Sequence, residues 1–128
     1  LIFKSEVTNL SQYIIDANKV IASHLEIKTN FLISSKIDKN NELNGQDKVI
    51  EICRKLGYDK YTNVIGGKKL YSKDDFLNNG IELSFIRSNY IEYNQYNNIF
   101  IPWLSIIDVL MFNSVSEINL MLNNYELI

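Results

Sequence analysis

The sequence predicts an α/β fold of the three-layer type: a small parallel sheet of about three strands with flanking helices and Rossmann-like βαβ connections. Three observations lead there. Apolar or alternating runs of strand length occur at residues 30–34, 61–65 and 81–86. Segments with helical periodicity lie between them, and glycines stand where those segments stop. Strands separated by helices of this length pair in parallel through right-handed crossovers.

The elements follow in order. Leu10, Tyr13, Ile14, Ala17, Val20, Ile21 and Leu25 recur at helical spacing, so residues 9–25 read as an amphipathic helix with Thr8 as its N-cap. His24 lies at the edge of that stripe and reads as a partly buried helix-end histidine. "NFLIS", residues 30–34, reads as a buried strand, and the polar "SKIDKNNELNG" after it as a loop. Residues 46–56 form a second helix with Val49, Ile50, Cys53 and Leu56 inward, stopped by Gly57 in the left-handed region. Cys53 then reads as a small core residue, not a nucleophile.

"YTNVIGG" is a second strand over residues 61–65 that runs into paired glycines. Ser72 caps a short helix, with Asp75 completing a capping box and Gly80 ending it. "IELSFI", residues 81–86, alternates as a third strand, and "RSNYIEYNQYNN" is a long loop. Pro102 suits the first turn of a helix running to about Phe112. Ser114 and Glu117 make a second capping box, ahead of a last helix near 115–124. A three-stranded sheet has open edges, which a homodimer would cover.

A chain of 128 residues with 46% apolar content supports one domain with a real core. A net charge of −2, with 13 scattered Lys and Arg, argues against nucleic acid as a partner. One cysteine excludes an internal disulfide and a cysteine cluster, the lone His24 argues against a His-based metal site or a Ser-His-Asp triad within these residues, and both suit a reducing, cytoplasmic setting. No apolar run approaches the length of a membrane helix, and no signal peptide is visible. The opening "LIFKSEVTNL" lacks a methionine, as expected of part of a longer protein.

Chemistry is expected at the carboxyl ends of the strands, where open parallel sheets bind ligands. Ser34 and Ser35 follow the first predicted strand, and Gly66 and Gly67 the second. If those strands are neighbours, hydroxyls and glycine backbone share a crevice suited to a phosphate or carboxylate. The competing reading of "GGKK" is a tight strand-to-helix turn with Lys68 and Lys69 solvated. Tyr90, Tyr93 and Tyr96 recur around Gln95, in a loop that either stacks on a sugar or base or is pinned by its own tyrosines. Ser105 and Asp108 share a face within the apolar stretch "FIPWLSIIDVLMFN". A carboxylate among so many apolar neighbours needs a fixed partner. It either braces the loop through Tyr93 and Gln95 or borders the crevice.

The segments "ISSKID", "DKVIEICRKLGYDKYTNVIGGKKLYSKDDFLNNGIELSFI", "YNQ" and "FIPWLSIIDVLMFN" together resemble the C-terminal half of a WbqC-like family protein. The resemblance covers nearly the whole chain in one order. It places Ser34, Ser35, Gly66, Gly67, Tyr71, Tyr93, Gln95, Pro102, Ser105, Asp108 and Asn113 in the family pattern. Full-length members also carry an N-terminal half with a "QPxxFPxxGY"-like opening, so residues 1–128 are expected to be one α/β domain forming the C-terminal part of a longer protein. The resemblance implies a role in O-antigen or other surface-polysaccharide biosynthesis, with transfer of glycine to a sugar as the suggested activity. The resemblance assigns no roles within that pattern; on the transferase reading the site is expected to have Asp108 and Ser105 as catalytic residues, Ser34, Ser35, Gly66, Gly67, Tyr71, Tyr93 and Gln95 as substrate-binding residues, and no metal. No cofactor is assigned, and the expected partner is a nucleotide-linked or lipid-linked sugar. The alternative is a non-catalytic binding or scaffolding module of the same pathway.

Overall fold

The structure is a computed structural model and describes residues 6–96 and 99–128. The chain divides into two compact units: Leu32–Tyr90 with Asn124–Ile128, and Leu1–Phe31 with Ile91–Asn123.

The first of these holds the sheet. Its elements are α2 (Gly45–Leu56), β1 (Lys60–Val64), a 3-10 turn (Ile65–Lys69), α3 (Lys73–Asn78), β2 (Glu82–Ser88) and β3 (Tyr125–Leu127). The order in the sheet is β1-β2-β3. β1 and β2 pair in parallel, with Tyr61 opposite Leu83 and Asn63 opposite Phe85. β3 pairs antiparallel to β2, with Arg87 opposite Glu126, and these two side chains form a 2.8 Å ion pair. The sheet is therefore mixed, and the parallel three-stranded arrangement expected from the sequence is corrected to one parallel pair plus an antiparallel edge.

The expected strand at residues 30–34 does not form. Residues 30–33 are irregular, Ser34–Lys36 is a 3-10 turn, and Phe31 and Leu32 are 43% and 57% exposed. The edge of β2 away from β1 is taken by the chain's last residues, so that third strand comes from "YEL".

The core follows from two periodicities. Leu83 and Phe85 point inward from alternate positions of β2, while Ile50 and Cys53, one turn apart on α2, face the same cluster. Phe76 and Ile81 complete it. α3 stops in a left-handed turn at Gly80 (φ 73°), where the Gly80 N–H donates to Leu77 and the Ile81 N–H to Phe76. That turn brings two fully buried side chains together. Ser72 Oγ accepts from the Asp75 N–H at 3.2 Å, as its cap position predicts. Gln46 ties the start of α2 to the start of α3, accepting from the Ser72 N–H (2.9 Å) and donating to Asp75 (2.6 Å).

The other unit is helical: α1 (Leu10–His24), α4 (Ile106–Phe112) and α5 (Val115–Met121). Asn9, not Thr8, caps α1, its Oδ1 accepting from the Gln12 N–H at 3.0 Å. Among the described residues of this unit, Ala22, Leu25 and Ile118 are the buried apolar ones.

α4 does not begin at Pro102. Trp103 has φ 61°, which interrupts the helical path, and the helix starts only where Ser105 Oγ accepts from the Ile107 N–H at 3.2 Å. α5 is shorter than residues 115–124, which leaves chain for β3.

The capping box of α5 is complete: Ser114 Oγ accepts from the Glu117 N–H, and Glu117 Oε2 accepts from the Ser114 N–H at 2.7 Å and from its hydroxyl at 2.6 Å. These bonds hold the Glu117 carboxyl below its ordinary range. A depressed carboxyl contributes stability above its unfolded value, about 4.3, and loses it as pH falls through the lower folded value. A carbon-detected pH titration of Glu117 is expected to show this depression, and Ser114→Ala is expected to move its midpoint back up.

Candidate functional site

Asp108 stands in the first turn of α4, three residues after the capping Ser105, and its side chain is half-buried. One carboxylate oxygen, Oδ2, accepts two hydrogen bonds: from the Tyr93 hydroxyl at 2.6 Å and from the Gln95 amide Nε2 at 2.8 Å. Gln95 is only 7% exposed. Its Nε2 also donates to the Ile101 carbonyl (3.1 Å), and its Oε1 accepts from the Ile101 N–H (2.8 Å). The side chain thus pairs with both backbone groups of Ile101, as a neighbouring strand would, and fastens two separated parts of the loop to one helix. The Tyr93 ring meets Phe100 edge-on, with centroids 5.0 Å apart.

These bonds fix what each group can do. Burial, then the bond to Asp108, hold the Tyr93 phenol above its ordinary range, so at neutral pH it is a donor and not a base. Asp108 Oδ1 accepts no hydrogen bond from the described residues, and none of their buried side-chain oxygens lacks a partner, so Oδ1 is reached by solvent. Asp108 therefore braces the loop with one oxygen and keeps the other available. Beside this network lies an open concavity of about 350 Å³ lined by Glu92, Tyr93, Asn94, Gln95 and Phe100. Tyr96 and Trp103, the residues following Gln95 and Pro102, both hold left-handed backbone (φ 57° and 61°), a conformation costing about 1 kcal/mol or more outside glycine.

The remaining candidates lie in the other unit. Ser34 and Ser35 are exposed in the 3-10 turn, not at the end of a strand, and the Ser34 carbonyl accepts from the Lys39 ammonium. The expected crevice between two parallel strand ends therefore loses one of its walls. Gly66 and Gly67 fall in the 3-10 turn after β1. Gly67 is buried, and a Cβ there would lie 2.6 Å from Asn63 Nδ2 and 3.4 Å from the Tyr71 ring, so a side chain at this position would have to displace the Asn63 amide. At Gly66 a Cβ meets nothing within 4 Å. Tyr71 packs edge-on against Tyr61 and Phe76, with centroids 6.2 and 6.0 Å away. Cys53 is buried, which pushes its thiol up and away from nucleophilic chemistry. Among the described residues, no three His, Cys, Asp or Glu side chains gather as a metal site, and no helix is long and apolar enough to cross a membrane.

A scan of protein families matches the WbqC-like protein family over residues 1–120 of the 128. The chain belongs to that family. Comparison with curated proteins and with solved structures finds no significant match. In this WbqC-like protein, sequence reasoning singled out Tyr93, Gln95 and Asp108 from two different segments, and the structure joins them through one oxygen. It missed Ile101, which takes part through its backbone and carries no side-chain signal. It also missed Glu92 and Asn94, each beside a residue it had named, and gave no role to Phe100, the first residue of "FIPWLSIIDVLMFN". The signal for Ser105 was present as Ser-x-x-Asp ahead of an apolar run, which is the pattern of a helix start.

Proposed function

We propose that this WbqC-like protein acts in O-antigen or other surface-polysaccharide assembly, as an aminoacyl transferase that carries glycine, or a similar acyl group, onto a nucleotide-linked or lipid-linked sugar. The observation that carries this reading is the Tyr93–Asp108–Gln95 network beside an open concavity with aromatic, amide and carboxylate groups in its wall. Such a mixture suits a hydroxylated ring: aromatic faces take its C–H surface, and amides and carboxylates take its hydroxyls.

The chemistry assigned to the residues is limited. A sugar amine or hydroxyl attacks the carbon of an acyl group that arrives already activated. The new C–N or C–O bond forms, the bond to the donor's leaving group breaks, and the nucleophile's proton goes to the free Asp108 Oδ1. Tyr93 and Gln95 keep Oδ2 fixed, so Oδ1 needs no reorganisation to accept it. Ser105 acts through the helix start that holds Asp108. Within the sheet-bearing unit taken by itself, the open backbone at Gly66 with Lys68 and Lys69 suits a phosphate, with Ser34, Ser35 and Tyr71 as further substrate-binding candidates.

The second reading is a non-catalytic binding module of the same pathway. The double occupation of Asp108 Oδ2 favours it, because a bracing carboxylate is sufficient to explain those two bonds.

The test is a transfer assay with nucleotide-linked sugar and activated glycine, on the wild type and Asp108→Asn. An amide oxygen can still accept both bracing bonds, so the fold is expected to survive while transfer falls by about 10²-fold or more. Sugar binding without transfer by the wild type would leave the binding module, and neither binding nor transfer would remove both readings.

A further inference from the structure

The wall of the concavity has a one-sided charge. Residues 91–123 contain Glu92, Asp108 and Glu117 and no Lys or Arg at all. Glu92 is exposed, lines the concavity, and makes no hydrogen bond or ion pair with any described residue. Asp108 lies one hydrogen bond behind the wall, through Tyr93 and Gln95. The other lining residues are Asn94, Gln95, and Tyr93 and Phe100, whose rings meet edge-on with centroids 5.0 Å apart. A phosphate or carboxylate would find no cation on this segment and two carboxylates near it. A primary ammonium would find the opposite: a counter-ion in Glu92, two aromatic residues of the kind that attract cations, and the Asn94 amide as an acceptor for its N–H groups.

We infer that this concavity binds a primary ammonium group, with Glu92 as its counter-ion and the Tyr93 and Phe100 rings beside it. The inference rests on the transferase reading and sharpens it. The ammonium belongs either to an acceptor aminosugar or to the aminoacyl group being transferred, and the phosphates of an activated carrier are held elsewhere. An acceptor bound this way enters as R–NH3⁺ and becomes nucleophilic only after losing one proton, a step the transferase reading assigns to Asp108 Oδ1. Glu92 is thereby a specificity residue, since it separates an amine from the same ring bearing an amide or hydroxyl.

The experiment is amide-resolved NMR titration of the full chain near pH 6, where the probe amines are protonated. The probes are glucosamine, glycinamide, N-acetylglucosamine, glucose and uridine diphosphate. Glucosamine or glycinamide is expected to shift Glu92, Asn94 and Gln95 saturably, and the stronger of the two identifies the source of the ammonium. N-acetylglucosamine, glucose and uridine diphosphate are expected to leave those resonances in place. Glu92→Gln, checked for an otherwise unchanged spectrum, is expected to weaken amine binding by about fivefold. Equal shifts from glucose or N-acetylglucosamine would overturn the ammonium while keeping the sugar site. Shifts from uridine diphosphate, or amine binding indifferent to Glu92→Gln, would also overturn it. Silence from every probe would remove the sugar site as well.

Discussion

Phe76→Ala is expected to destabilise the protein by about 3 to 5 kcal/mol, read as a lower midpoint in urea with little change in slope. Phe76 has no exposed surface and sits where α3 meets the sheet. Its ring stacks on Tyr61 at 5.6 Å with 12° between the planes, and meets Tyr71 edge-on at 6.0 Å. Alanine removes that ring from a core whose other walls are Ile50, Cys53, Ile81, Leu83 and Phe85, held by backbone pairing and helix packing that cannot close the space. The end of α3 weakens as well, because the turn at Gly80 is held by Ile81 packing against Phe76 in addition to its two backbone bonds. Phe76→Leu keeps most of the volume and is expected to cost under about 2 kcal/mol. A loss below about 1 kcal/mol for the alanine variant would show that the three aromatic rings do not form a close-packed unit.

The parts of the fold that could be read from the sequence are those where local and tertiary signals agree. α2 carried apolar periodicity and a glycine stop, α3 a serine cap and a glycine stop, and β1 and β2 apolar or alternating runs bounded by turns; all four formed within a residue or two of expectation. The errors arose where a local signal had a rival elsewhere in the chain. "NFLIS" has strand composition but joins neither edge of the sheet, while "YEL" at the far end of the chain takes the second edge of β2 in antiparallel register. Backbone pairing of that kind is invisible to periodicity over three residues. Pro102 has helix-start geometry, but the left-handed Trp103 and the Ser105 cap move the start to Ile106. The candidate site divides in the same way. A carboxylate inside "FIPWLSIIDVLMFN" required a partner, and "YNQ" offered two donors, so the residues of the network were legible. That both donors choose the same oxygen, and that Gln95 also reads the backbone of Ile101, depends on the path of the loop, which no residue type encodes.

Gln95→Ala is expected to cost about 2 to 4 kcal/mol, because three hydrogen bonds disappear from a side chain that is 7% exposed. Ile101 loses the partner of both its N–H and its C=O, and Asp108 Oδ2 keeps only Tyr93. The more informative variant is Gln95→Glu, which keeps the shape and replaces the donating NH2 by an oxygen. At neutral pH two acceptors then face each other where Gln95 and Asp108 stood 2.8 Å apart, and the Ile101 carbonyl also faces an oxygen. The new carboxyl can be relieved only by taking up a proton, so its folded value rises above the unfolded value of about 4.3. A raised carboxyl destabilises above its folded value and recovers as pH falls through it. The thermal midpoint of Gln95→Glu is therefore expected to lie well below that of the wild type at pH 7 and to approach it near pH 5, whereas Gln95→Ala, having no group to protonate, is expected to keep its deficit at both. A Gln95→Glu midpoint that tracks Gln95→Ala at both pH values would mean that the amide's donation to Asp108 does not hold the loop. The bracing role would then pass to Tyr93 alone, and Tyr93→Phe would be the variant that lowers the midpoint.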